Sequence, residues 1–127
     1  MKVRLVNAEN APESFGGYPQ ALECSETSRR LYISGQVPVA RDGTVPETFE
    51  AQADLAWANV LAQLRAAGME IENLVKATIF LSDRKYALEN RRARQKALGD
   101  HCPALSVVIA GIFDEAWLLE IEAIAEA

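Results

Sequence analysis

Residues 74–81 read LVKATIFL, and this stretch decides the fold class. Its apolar residues fall on both sets of alternating positions, a pattern typical of a strand that is covered on two faces. Three other segments share the pattern: LYISGQV at 31–37, LSVVIAGI at 105–112 and WLLEIEAIA at 117–125. Together these segments predict the centre of a buried sheet.

A helix is predicted before this strand. It begins after Thr48, which can act as an N-cap, runs to Ala67 and stops at Gly68. Its apolar residues recur at three- and four-residue steps, which predicts an inward-facing stripe. The stripe contains Phe49, Ala53, Ala56, Val60, Leu64 and Ala67.

A second helix is predicted after the strand, with Asp83 as its cap and an end near Gly99. Its small apolar stripe contains Tyr86, Asn90, Ala93 and Ala97. Asn90 places an amide inside this stripe, so its side chain either hydrogen-bonds a nearby loop carbonyl or faces a ligand.

Further strands complete the pattern, at 2–7, 18–24 and 30–37 before the first helix and at 105–111 and 117–125 after the second. Strands alternating with two long helices predict a single α+β domain over residues 1–127. In it, one mixed six-stranded sheet carries both helices on one face. Since two helices cover only one face, we expect a partner subunit of a homo-oligomer to cover the other.

The composition argues against several partners. Thirteen basic and eighteen acidic residues give a net charge of -5, which opposes binding to nucleic acid. The densest basic cluster, Arg91, Arg92, Arg94 and Lys96, is interpreted as a solvated helix face. The amino terminus does not resemble a signal peptide, and no long uncharged apolar stretch is present. We therefore expect a cytoplasmic location and no membrane partner.

Few residues outside the apolar pattern are of types that commonly bind metals or act as nucleophiles, acids or bases. Cys24 and Cys102 lie far apart and outside any CxxC pair, so no disulfide scaffold or thiolate metal site is predicted. His101 is the only histidine; it is interpreted as a solvated loop residue, and no metal is predicted. Glu120 and Glu122 share one face of the last strand, where a carboxylate needs a partner or a function.

Four stretches of the chain, taken in order, carry a resemblance: GGYPQALE at 16–23, YISGQVP at 32–38, NLVKATIFLSD at 73–83 and LEIEAIA at 119–125. By these stretches the chain resembles the RidA (YjgF/L-PSP) family from near residue 7 to the carboxyl end. The resemblance implies a chorismate-mutase-like fold and a homotrimer with three clefts between subunits. It also implies hydrolysis of reactive 2-imino or enamine acids to 2-keto acids and ammonia, without a metal or an organic cofactor.

The resemblance assigns roles to individual residues. The tyrosine of the family's GxYxQ segment matches Tyr18, and the asparagine of its second helix matches Asn90. The glutamate of the family's last strand matches Glu120, which would hold the attacking water and take its proton. Glu122 is the rival carboxylate, with an intersubunit ion pair as its alternative role.

Two departures from the family occur within CPALSVV at 102–108. Leu105 stands where deaminating relatives have an arginine that grips the substrate carboxylate, and Val107 stands where they have cysteine or another small residue. Because a leucine cannot replace a guanidinium that pairs bidentately with a carboxylate, we expect the usual 2-imino acids to be poor substrates.

The sequence thus predicts a trimer that binds a neutral or cationic small molecule at Tyr18, Asn90, Leu105 and Val107, with Glu120 available to hydrolyse an imine- or enamine-type bond. One alternative is an ordinary 2-imino acid deaminase, for instance with Arg94 replacing the missing arginine. Another is a noncatalytic ligand-binding or chaperone-like trimer. A ribonuclease is disfavoured by the acidic balance.

Overall fold

A computed structural model describes residues 1–127, the whole chain. The strands and helices are, in order, β1 (Lys2–Val6), β2 (Ala21–Ser25), β3 (Arg30–Gln36), α1 (Phe49–Ala66), β4 (Leu74–Leu81), α2 (Ala87–Leu98), β5 (Ala104–Ile109) and β6 (Leu119–Glu126). Short 3₁₀ helices at Ile71–Asn73 and Arg84–Tyr86 precede β4 and α2. Every predicted strand and helix is present. No helix has both the length and the apolar character needed to cross a membrane.

The helix ends follow the predicted capping residues. Thr48 Oγ1 accepts a hydrogen bond from the Ala51 backbone N–H at 3.2 Å, and α1 ends before Gly68, whose φ is +71°. Asp83 Oδ1 accepts from the Lys85 N–H at 2.9 Å, so it caps the 3₁₀ turn that leads into α2. These local signals fix where each helix meets the sheet.

The predicted strand at 18–24 begins only at Ala21. Pro19 has no N–H for a ladder, and the Gln20 N–H donates instead to Asn7 Oδ1 at 3.0 Å. Tyr18 therefore lies in the loop before β2. This difference frees its side chain from the alternation of a strand.

The six strands form two sheets rather than one. The central sheet is mixed and four-stranded, in the order β3-β6-β4-β5, with β4 and β5 parallel. β1 and β2 form a separate antiparallel pair. The chain turns at Glu26, where φ is +55°, and the Ser28 and Arg29 N–H groups donate to the Ala127 carbonyl beside β6. The prediction of one six-stranded sheet is wrong in this respect, while the α+β class with a mixed sheet and two helices is confirmed.

The central sheet has a helix face and an open face. Side chains of the helix face are fully or almost fully buried against α1 and include Ala77, Ile79, Leu81, Leu119, Ile121 and Ala123. The open face carries the alternate side chains, among them Tyr32, Lys76, Thr78, Phe80, Glu120, Glu122 and Ile124. It is more polar than the apolar pattern of the strands suggested.

Candidate functional site

A cleft of about 130 Å³ lies where the loop before β2, the end of α2 and the start of β5 meet. We call it the Tyr18 cleft. The side chains that line it include Tyr18, Arg94, Cys102 and Leu105. Two of the predicted ligand-binding residues, Tyr18 and Leu105, are thus brought together within one subunit. No aspartate or glutamate lines the cleft.

The walls of the Tyr18 cleft follow from local packing. Leu105 pairs with the buried Ala77 of β4, so its side chain is on the helix face and lies at the edge of the core. The Tyr18 ring lies against Gly16, where an added Cβ would be 2.6 Å from Tyr18 Cε1. Gly16 is therefore needed for the close approach of this ring.

The environment of Arg94 differs from the prediction of a solvated helix face. Arg94 is only 7% exposed, whereas Arg91 and Arg92 beside it are exposed as predicted. Arg94 Nη2 donates to the Gly16 carbonyl at 2.9 Å, and its guanidinium lies 5.8 Å from the centre of the Tyr18 ring. Burial lowers the pKa of Arg94, and the neighbouring Arg91 lowers it further. The interpretation of this cluster as a solvated face is wrong for Arg94.

Asn90 lies on α2 one turn before Arg94 and is 3% exposed. Its Oδ1 atom is buried without a hydrogen-bond partner. A buried acceptor in this state is uncommon in folded proteins. Asn90 is not among the residues that line the Tyr18 cleft.

Glu120 lies on the open face, since it pairs with Phe80 and alternates with the buried Leu119 and Ile121. Its carboxylate occupies the space beside Gly35 of β3, where any Cβ would collide with it. The glycine of the YISGQVP stretch therefore makes room for this side chain, a requirement that sequence reasoning missed. Within one subunit, Glu120 and Leu105 are on opposite faces of the sheet.

The remaining predicted residues lie outside the Tyr18 cleft. Val107 is 44% exposed on the edge strand β5. Glu122 is exposed and borders a shallow depression of about 290 Å³ on the open face, together with Tyr32 and Lys76. Lys76 Nζ in turn donates to Ser106 Oγ at 2.8 Å.

His101 is not a freely solvated loop residue. It is half-buried, and its Nε2 lies 2.7 Å from the Leu74 carbonyl, to which it donates. This bond ties the loop that carries Cys102 and Pro103 to the start of β4. Its role here is structural.

Comparison with known proteins assigns the chain to a family. The model of the family described as Endoribonuclease L-PSP matches residues 8–127. The chain belongs to the L-PSP family, also called RidA. The RutC family protein PM1466 of Pasteurella multocida is 37% identical over 81 residues, which are 63% of this chain and 60% of that protein.

Two further L-PSP relatives are similar over almost their whole length. The 2-iminobutanoate/2-iminopropanoate deaminase of Escherichia coli K12 is 32% identical over 126 residues, 96% of each chain. The crystal structure of E. coli TdcF with bound serine superposes with a TM-score of 0.74 at 28% identity, covering 98% of each chain.

Proposed function

We propose that this protein is a RidA-type hydrolase that acts on an imine- or enamine-type small molecule, in clefts shared between the subunits of a cytoplasmic homotrimer. The similarity to the E. coli 2-iminobutanoate/2-iminopropanoate deaminase supports this reaction class. The observation that carries the proposal is the Glu120 carboxylate, which is held over Gly35 on the sheet and forms no ion pair within the subunit.

Assembly is part of the proposal because Glu120 and the Tyr18 cleft lie on opposite faces of one sheet. A second copy of the chain is the simplest way to bring a Glu120 carboxylate to a Tyr18 cleft. The edge strand β5 favours such a contact, since Val107, Val108 and Ile109 are 44%, 41% and 38% exposed. The open face, with Phe80 and Ile124, offers apolar surface for the same purpose.

The chemistry requires no group beyond water and side chains. Glu120 orients a water molecule and accepts its proton while the water oxygen bonds to the imine carbon. Glu120 passes this proton to the imine nitrogen, which gives a carbinolamine. The carbinolamine hydroxyl then gives its proton, through Glu120, to the amine nitrogen as the C–N bond breaks, and the products are a carbonyl compound and ammonia. Tyr18 forms an apolar wall and supplies one hydroxyl contact. Asn90 and Val107 are proposed to border the ligand once subunits assemble.

Leu105 sets the proposed substrate apart from the usual 2-imino acids. Its side chain borders the Tyr18 cleft at the position where the family resemblance places an arginine. A leucine there offers an apolar wall and no bidentate contact to a carboxylate. A compact 2-imino acid would therefore lack its usual anchor on β5.

The test is ammonia release from 2-iminobutanoate generated in situ from the amino acid, with the E. coli deaminase assayed alongside. We expect slow hydrolysis by the wild type, faster hydrolysis by Leu105→Arg, and loss of that gain in Leu105→Arg/Glu120→Ala. A wild type as fast as the E. coli enzyme would show that Leu105 does not restrict the substrate. Failure to accelerate hydrolysis of any imine would favour a noncatalytic ligand-binding trimer.

A further inference from the structure

Arg94 presents a buried cation without a carboxylate partner. None of the ion pairs in the structure includes it, and the only hydrogen bond of its guanidinium goes to the Gly16 carbonyl. A guanidinium has further N–H groups in the same plane, and these are arranged to grip a carboxylate. Within the subunit, no acidic side chain of the Tyr18 cleft takes them up.

Arg30 is an arginine of the same protein whose charge is paired with a carboxylate. Its guanidinium donates to Glu126 Oε1 at 2.9 Å, and its side chain remains 54% exposed. Arg94 is far more buried and has no such anion. Because a desolvated charge without a counter-charge is costly, Arg94 in this position calls for an anion supplied from outside the subunit.

We infer that Arg94 is the specificity-determining residue that binds the carboxylate of the ligand, against α2 and Tyr18 rather than against β5. This inference rests on the proposed function for the reaction itself. The substrate class is then a carboxylate-bearing imine or enamine whose acid group lies on the helix wall and whose hydrocarbon part contacts Leu105. The neutral or cationic ligand expected from Leu105 alone is replaced by an anionic one.

The same contacts explain why a 2-imino acid of the usual kind would be hydrolysed slowly although Arg94 binds its carboxylate. In a compact acid the imine carbon is adjacent to the carboxylate. If the carboxylate is bound by Arg94 on α2 and not at position 105 on β5, the imine carbon is displaced as well. Arg94 lines the cleft, whereas its exposed neighbours Arg91 and Arg92 do not.

The first test uses the wild-type protein alone. Binding of 2-oxobutanoate and of its neutral amide is measured by titration calorimetry or by ligand-observed NMR. We expect the carboxylate to bind at least about 10-fold more tightly than the amide, since the pair is desolvated. Equal binding of the two probes would overturn the inference. Because this test uses only the wild-type protein, it does not depend on the folding of a variant.

The second test compares Arg94→Gln with the matched control Arg92→Gln, which removes the same charge from the exposed side of the same helix. The glutamine amide is shorter than the guanidinium and removes both the charge and the contact that Nη2 makes with the Gly16 carbonyl, whereas Arg94→Lys keeps the charge. We expect Arg94→Gln to lose the preference for the carboxylate probe, Arg92→Gln to keep it, and Arg94→Lys to keep part of it. A folded Arg94→Gln that retains the preference would refute the role of Arg94.

The two proposals fail in different ways. If imines are hydrolysed but neither rate nor carboxylate binding depends on Arg94, the reaction stands and the inference falls. If the wild type prefers the carboxylate through Arg94 but hydrolyses no imine, the binding role stands and the reaction falls.

Discussion

The two faces of β6 perform different tasks with alternate residues of one strand. On the helix face, Leu119, Ile121, Ala123 and Ala125 are 0–4% exposed and belong to the core. On the open face the strand presents Glu120, Glu122, Ile124 and Glu126. Burial explains every residue of the first set. The acids of the second set differ among themselves: Glu126 is buried and paired with Arg30, Glu120 is half-buried without an ion pair, and Glu122 is exposed. The first face stabilises the fold, and the second carries the groups available for function.

The largest effect is expected from shortening a buried side chain on the helix face. Ile121→Ala removes a fully buried side chain and should lower the free energy of unfolding by about 2–5 kcal/mol. Ile124→Ala, the same change on the open face of the same strand, should cost less per subunit because Ile124 is only half-buried. Urea unfolding of both variants measures the difference. Equal losses would contradict the division of β6 into two faces.

The two central acids of the open face should also differ. Glu120→Gln keeps the shape of the side chain beside Gly35 but removes the group proposed to take the proton of water, so hydrolysis should fall by about 100-fold. Glu122→Gln is the matched control two residues away and should change the rate by less than about 3-fold. Steady-state ammonia release on the best imine substrate measures both. A larger loss in Glu122→Gln would transfer the catalytic role to that residue.

The open face should also respond to a charge that blocks its contact with another subunit. Ile124→Arg is expected to lower the mass seen by light scattering from about three times the 13.9 kDa chain towards the monomer. Leu88→Arg, at a 60% exposed position on α2, should leave the mass unchanged. A wild type that is already monomeric at micromolar concentration would contradict both the trimer and the shared cleft.

The sequence predicted those parts of the fold that local signals determine. Thr48, Asp83 and Gly68 mark helix ends through backbone chemistry, and the alternation in LVKATIFL marks a covered strand. The separation of β1 and β2 from the central sheet has no such signal. It depends on the turn at Glu26 and on bonds to Ala127, a residue distant in sequence.

The family resemblance singled out Tyr18, Leu105 and Glu120; the structure places Tyr18 and Leu105 in one cleft, and the roles of all three stay predictions. The sequence did not reveal the burial of polar side chains where that burial is decided by distant packing. Arg94 reads as one more cation of an exposed helix, and its burial depends on the Gly16 carbonyl and the Tyr18 ring far away in sequence. Gln52 is a second case: its side chain hydrogen-bonds Pro46, Ala116 and Leu118 at 2.8–2.9 Å inside the core.

The smallest expected effect concerns Glu126, the paired acid at the end of the open face. Hydrogen bonds from Arg30, and then from Thr27, hold the pKa of Glu126 below its ordinary value. A carboxyl whose pKa is lowered by folding stabilises the native state at pH values above its ordinary pKa, and that contribution is lost as the pH falls through the lowered value.

Glu126→Gln keeps an oxygen that accepts from Arg30 and Thr27 but removes the charge. Its melting temperature should therefore lie slightly below that of the wild type at pH 7, and the gap should close as the pH falls below about 4. Glu122→Gln, an exposed acid on the same face without an ion pair, should show no gap at either pH. Thermal melts of the three proteins between pH 7 and pH 3 measure this. A gap for Glu126→Gln that persists unchanged at pH 3 would mean that side-chain packing, and not the charge paired with Arg30, is what this position contributes.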